Sequence, residues 1–233
     1  MAPVTAGPST DWYLTRATGV VALILLTISV AVGIAAVGRF RTRQWPRFAI
    51  DGVHRTSSLL ALAFLAVHIT TSVLDSFAPV GWLDAVIPFH GSYRPLWLGL
   101  GAISFDLLLA VIITSLLRMR IGYGGWRAVH WLAYAAWPVA LVHSFGTGSD
   151  VHQTWMLAIA IVCTGAVLAS VVARAAIGWP SHLRLRVGAL GAAGVFTIGL
   201  LAWVPGGPLG AHWARRAGTP KALLAPASRK GTA

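Results

Sequence analysis

Six apolar stretches divide this chain, at about residues 14–37, 52–74, 96–117, 126–145, 155–176 and 187–204. Each is close to the roughly 20 residues a helix needs to cross a bilayer. Lipid offers a backbone no hydrogen-bond partner, so a chain that crosses it must satisfy its own amides within helices or a closed barrel. Runs of this length read as spanning helices. The expected fold is therefore an all-α integral membrane protein, a six-helix transmembrane bundle. The first run is longer than the apolar core of a secretory signal, about 7–15 residues, and reads as a retained helix.

Composition agrees. Of 233 residues, 57% are hydrophobic and only 10% charged, against about 25% charged in ordinary soluble domains. Eighteen Lys and Arg face six acidic residues, giving a formal charge of +12. In a soluble chain that excess would suggest nucleic acid, but here the bases sit mostly between apolar runs. The end of run five and the connections after runs one, three and five hold Arg39, Arg41, Arg43, Arg47, Arg118, Arg120, Arg174, Arg184 and Arg186. Those after runs two and four hold only Arg94. By the positive-inside rule the arginine-rich loops are cytoplasmic and the N-terminus, residues 1–12, is outside. Trp12, Trp97, Trp155 and Trp203 then mark the outer face, and Trp45, Trp126 and Trp179 the inner one. The expected location is the cell membrane, with multiple passes. Residues 205–233 form a basic tail, rich in Gly, Pro and Ala and expected to be mostly disordered. The single cysteine, Cys163, excludes an intramolecular disulfide, a multi-cysteine metal site and covalent c-type haem attachment.

Within this frame two runs stand out. The second is bracketed by His54 and His68, fourteen residues apart, and the fourth by His130 and His143, thirteen apart. At ~1.5 Å per residue each pair spans roughly 20 Å of helix. Two such helices side by side would set one His–His pair near each membrane face. Ionisable side chains in lipid are costly and mark function by default, and a bis-imidazole pair suits a six-coordinate haem iron. One geometric difficulty attends the fourth run. At 100° per residue, fourteen residues return within ~40° of the starting face, but thirteen fall ~140° short. Pro138 lies between His130 and His143, so a kink or local rewinding is available there.

The histidine pairs on two helices, spaced fourteen and thirteen, resemble the ferric reductase-like transmembrane domain. That superfamily includes ferric reductases, NADPH oxidases and the haem subunit of the periplasmic methionine sulfoxide reductase system. The resemblance covers about residues 14–176. It implies two haem b groups, with His54 and His130 as axial ligands of an inner one and His68 and His143 of an outer one. It also implies an electron-transfer oxidoreductase subunit. The oxidases continue into cytoplasmic flavin and nicotinamide domains. This chain shows no Gly-rich dinucleotide fingerprint and no covalent flavin or nicotinamide site is expected in it. The expected donor is a separate flavoprotein or quinol, and the expected acceptor is extracytoplasmic, ferric iron or a redox partner protein. Two alternatives stay open: a quinol-linked cytochrome b subunit, and a metal-ion transporter using His68, His143 and Asp106.

Other residues have weaker readings. Asp106, within the third run, serves a proton or polar network, or pairs across helices. Arg55 and Arg127 flank the inner histidines as propionate partners or as topology anchors. Trp131 and Trp137 read as haem-pocket packing. His90, His152 and Asp150, in outer loops, are candidate ligands for a metal acceptor. Arg118, Arg120, Arg184 and Arg186 either set topology or steer an acidic donor.

Overall fold

A computed structural model of the chain describes residues 9–37, 46–177 and 179–224. Arg39, Arg41, Arg43 and Trp45, on which the expected topology draws, lie outside the described residues. Among those described the protein is all helical: α1 (Thr10–Val37), α2 (Arg47–Leu74), α3 (Trp82–Val86), α4 (Pro95–Leu116), α5 (Arg118–His130), α6 (Ala133–Thr147), α7 (Thr154–Ala176), α8 (Leu183–Gly206), α9 (Trp213–Arg216) and α10 (Lys221–Leu224). Five of these, α1, α2, α4, α7 and α8, are individually long and apolar enough to cross a membrane.

The fourth apolar run departs from a single span. Its helix is interrupted at Trp131 and Leu132, so α6 alone is only 15 residues long. At the interruption Leu132, Tyr134 and Ala135 donate to carbonyls three residues back rather than four. Such turns wind ~120° per residue instead of ~100°. Four residues wound this way recover about 80° of the ~140° shortfall between His130 and His143. The rewinding lies at Trp131–Leu132, not at Pro138, which sits inside α6. The basic stretch from Arg118 to Gly125, which connects the third and fourth apolar runs, is helical in α5 apart from Gly122, whose φ of 72° is open to glycine without steric cost.

Helix starts follow local chemistry. Pro95 occupies the first turn of α4, where its missing N–H has no intrahelical partner to lose. Pro46, in extended conformation, precedes α2, which begins earlier than the apolar pattern alone suggests. The core sits where α1 meets α6 and α7: Leu23, Leu26, Val30 and Ile34 pack on Trp137, Leu141, Phe145, Ala160 and Cys163. α1 also lies along α2, α4 packs against α6, and α8 joins the bundle through α7.

The tail is a correction. Residues 207–224, expected to be disordered, fold back on the end of α4 and α6. Trp213 is buried, its ring lies 5.1 Å from Trp97, and Trp97 stacks on Trp203 at 4.9 Å. Arg94, buried and left-handed at φ 41°, binds the carbonyls of Gly146 and Thr147 and the hydroxyl of Thr219. Aromatic burial and a capped helix end supply what the Gly- and Pro-rich composition conceals.

Candidate haem site

The four histidines line one elongated cavity of about 550 Å³ bounded by α1, α2, α4, α5 and α6. They gather as two pairs. His54 and His130 have ring centres 6.2 Å apart, with planes at 71°. His68 and His143 have centres 6.5 Å apart, with planes at 84°. A metal–imidazole bond of about 2 Å, plus ~1 Å from nitrogen to ring centre, puts two trans imidazoles about 6 Å apart. Each gap therefore has room for one metal centre, and the two pairs stand one full His-to-His helix length apart.

Three rings are held alike. The Nδ1 of His54 donates to the carbonyl of Ser29 at 2.9 Å, that of His68 to Thr15 at 2.7 Å, and that of His143 to Trp97 at 2.8 Å. A carbonyl can only accept, so Nδ1 carries the proton and Nε2 keeps its lone pair. Hydroxyl pairs flank the α1–α2 seam beside both rings, Ser29 with Ser58 and Thr15 with Thr71. His130 differs: its Nδ1 is buried with no hydrogen-bond partner among the described residues, and its ring lies against Trp126 at 4.8 Å.

The cavity walls are mainly apolar, from residues such as Leu23, Leu65, Phe105 and Leu108. No group of three or more His, Cys, Asp or Glu side chains placed to hold a bare metal ion occurs among the described residues. Two-histidine sites in an apolar slot fit a metal whose remaining ligands come from a macrocycle, and the donor set suits haem.

Several expected site residues fall elsewhere. Trp137 is buried against α1, donating to Thr27 at 2.8 Å, and Trp131 is largely exposed; neither lines the cavity, whereas Trp12 and Trp126 do. Arg55 and Arg127 are exposed and off the cavity. The arginine that does line it is Arg16, paired with Asp150 and lying 3.7 Å over the Trp12 ring. Asp106 is half-buried in α4 and does not reach the cavity, so His68, His143 and Asp106 do not form a ligand set. His90 binds Asp84 at 2.6 Å, Asp150 is taken by Arg16, and His152 is exposed. Burial alone would raise the Asp84 carboxyl, but the Gly81 amide and the His90 ring bring it below the ordinary carboxylate value.

A family model, described as the ferric reductase like transmembrane component, matches residues 18–141. The chain belongs to this family. The match spans α1 from Thr18 onward and all of α2 and α4, and it contains His54, His68 and His130. His143 lies two residues past its end. No curated protein and no solved structure matches the chain. Membership associates this membrane protein with transmembrane electron transfer.

What the sequence reading missed are the residues behind the histidines. The carbonyls of Thr15, Ser29 and Trp97 carry no side-chain signature. The glycines one turn after them do: Gly19 and Gly33 are fourteen residues apart, the same interval as His54 and His68.

Proposed function

We propose that this protein carries electrons across a cell membrane and that two b-type haems would serve this, one held by His54 and His130 and the other by His68 and His143. The observation that carries this is the pairing itself: two His–His gaps near 6 Å in one apolar cavity, one between α2 and α5 and the other between α2 and α6. When bound, haem iron supplies one-electron chemistry by cycling between ferric and ferrous forms. The chain's residues orient the imidazoles, exclude water with apolar walls and keep Nε2 free to bind metal.

Arg118 and Arg120 at the start of α5, the helix that carries His130, and Arg184 and Arg186 at the start of α8 support the reading in which the His54–His130 end is cytoplasmic and the N-terminus is outside. A cytoplasmic flavoprotein or quinol would reduce the His54–His130 end. An extracytoplasmic acceptor, ferric iron or a redox partner, would draw electrons from the His68–His143 end. The cytochrome b reading loses the one acidic candidate for its quinol site that the sequence offered, since Asp106 does not line the cavity. The transporter reading lacks a ligand cluster among the described residues.

Proteoliposomes test the proposal. Reductant on the cytoplasmic side should reduce an impermeant acceptor on the other, and His68→Ala should abolish this while the remaining haem stays reducible. Acceptor reduction at the wild-type rate in that variant would refute the two-haem path.

A further inference from the structure

Three of the four histidines meet a glycine on the neighbouring helix. A Cβ built on Gly101 would lie 2.5 Å from His143 Cε1, on Gly19 2.9 Å from His68 Cε1, and on Gly33 3.2 Å from His54 Cε1. In every case the carbonyl that accepts the imidazole Nδ1–H belongs to the residue four positions before the glycine: Trp97, Thr15 and Ser29. The coincidence has a physical cause. Helical side chains lean toward the N-terminus and cover the turn before their own Cα, so glycine at one position uncovers the carbonyl one turn back. That carbonyl already accepts its helical N–H and has a second lone pair to offer.

We propose that Gly19, Gly33 and Gly101 are positioning residues, which let His68, His54 and His143 approach closely enough for Nδ1–H to bind the uncovered carbonyl. This rests on the haem reading above. The clasp fixes the tautomer, directs Nε2 toward the metal position and raises the basicity of the ligand. Among the described residues His130 has no such clasp. Fourteen residues beyond Gly101 stands Ser115, whose hydroxyl accepts Trp126 Nε1 at 3.1 Å, and His130 lies against that indole. The two haem positions are therefore unequal: both ligands are clasped at the His68–His143 end, one of two at the other.

The steric conflict in each Gly→Ala variant is with imidazole ring atoms and not with backbone, so the expected response is a displaced ring in a folded protein. Gly165, on α7 with nothing within 4 Å of a built Cβ, supplies the control for alanine itself. Full-length Gly101→Ala, Gly19→Ala, Gly33→Ala and Gly165→Ala proteins are compared by haem content per chain, low-spin electron paramagnetic resonance and potentiometric titration of each haem. Disturbance should follow the order of the distances, Gly101 first, then Gly19, then Gly33, with Gly165 like wild type. Gly101→Ala and Gly19→Ala should affect the haem that His68→Ala removes, leaving the other as an internal measure of folding. Gly33→Ala should keep both haems and shift upward only the potential of the one that His54→Ala removes, because a less basic imidazole stabilises ferric iron less. A wild-type protein with two haems whose Gly33 and Gly19 variants match the Gly165 control in potential and signal shape would overturn the inference. So would losses of both haems together in every variant of the three. A wild-type protein without haem would instead overturn the reading on which it rests.

Discussion

Replacing Arg94 with methionine keeps most of the stem and removes the guanidinium that ties three segments together. The guanidinium caps α6, whose last carbonyls are the negative end of the helix dipole, by binding Gly146 and Thr147 at 3.0 Å each. It reaches the tail through Thr219 at 2.9 Å, while the Arg94 amide bonds Gly218. Hydrogen bonds to a charged group are worth about 1.5–3 kcal/mol net. The three share one guanidinium and are not additive, and Gly146 retains the Trp213 indole at 3.3 Å. A total of about 2–4 kcal/mol for opening the tail is therefore reasonable. At 1.4 kcal/mol per tenfold, that lowers hydrogen-exchange protection roughly 30- to 700-fold. The loss should appear in residues 207–224 and the last turn of α6, with the α1–α2 seam unchanged. Trp213 should become more exposed to a fluorescence quencher. Tail protection within threefold of wild type would refute the claim that Arg94 holds this end closed.

Under the proposed function, a pyridine haemochrome assay should return two haems per chain, and about one per folded chain would refute it. His68→Ala or His143→Ala should remove one haem and His54→Ala or His130→Ala the other; identical spectral losses in the His54 and His68 variants would refute the pairing. Ring planes at 71° and 84° predict strongly anisotropic low-spin ferric signals for both centres, and the narrower spread of parallel imidazoles would contradict the ring geometry. Asp84 is held below its ordinary value, so its stabilising contribution is complete above about pH 3.9 and fades as pH falls further. Exchange protection of residues 81–90 should drop on acidification in wild type, and Asp84→Asn should remove that dependence.

Much of the fold was legible because lipid imposes one rule, apolar length, on every spanning helix. α1, α4 and α7 begin and end within a few residues of the hydropathy limits for that reason. α5 and the tail were not legible. α5 is a surface helix whose arginines and glycines read as a turn, and the tail is ordered by contacts with Trp97 and Arg94 that no local pattern announces. The histidines were legible because an ionisable group in lipid is conspicuous. Their partners were not, because two are backbone carbonyls of threonine and serine, one is that of Trp97, and the enabling residue is a missing side chain. Arg186 shows the limit of charge counting. It is buried and donates to Ala175 and Ile177, so it closes the α7–α8 turn and offers no charge to a partner.

The two ends of the cavity are built differently, and this bears on the electron donor. At the His68–His143 end, α3 and the Arg16–Asp150 pair line the pocket, and the cavity continues past Asp75, Asp84 and Tyr93. At the other end, α5 buries no residue. Met119 and Tyr123 are 88% and 70% exposed, and Arg118, Arg120, Arg127 and Arg184 are exposed as well. An acidic flavoprotein approaching that surface would be steered by its charge, and screening shortens the reach to about 8 Å at physiological salt. A neutral quinol arriving through lipid would not be. Raising ionic strength should therefore slow reduction by an acidic protein donor and leave quinol reduction unchanged, with Arg118→Gln and Arg120→Gln weakening the salt dependence in the first case. Reduction by an acidic flavoprotein that ignores both salt and these substitutions would show that the exposed arginines serve topology alone.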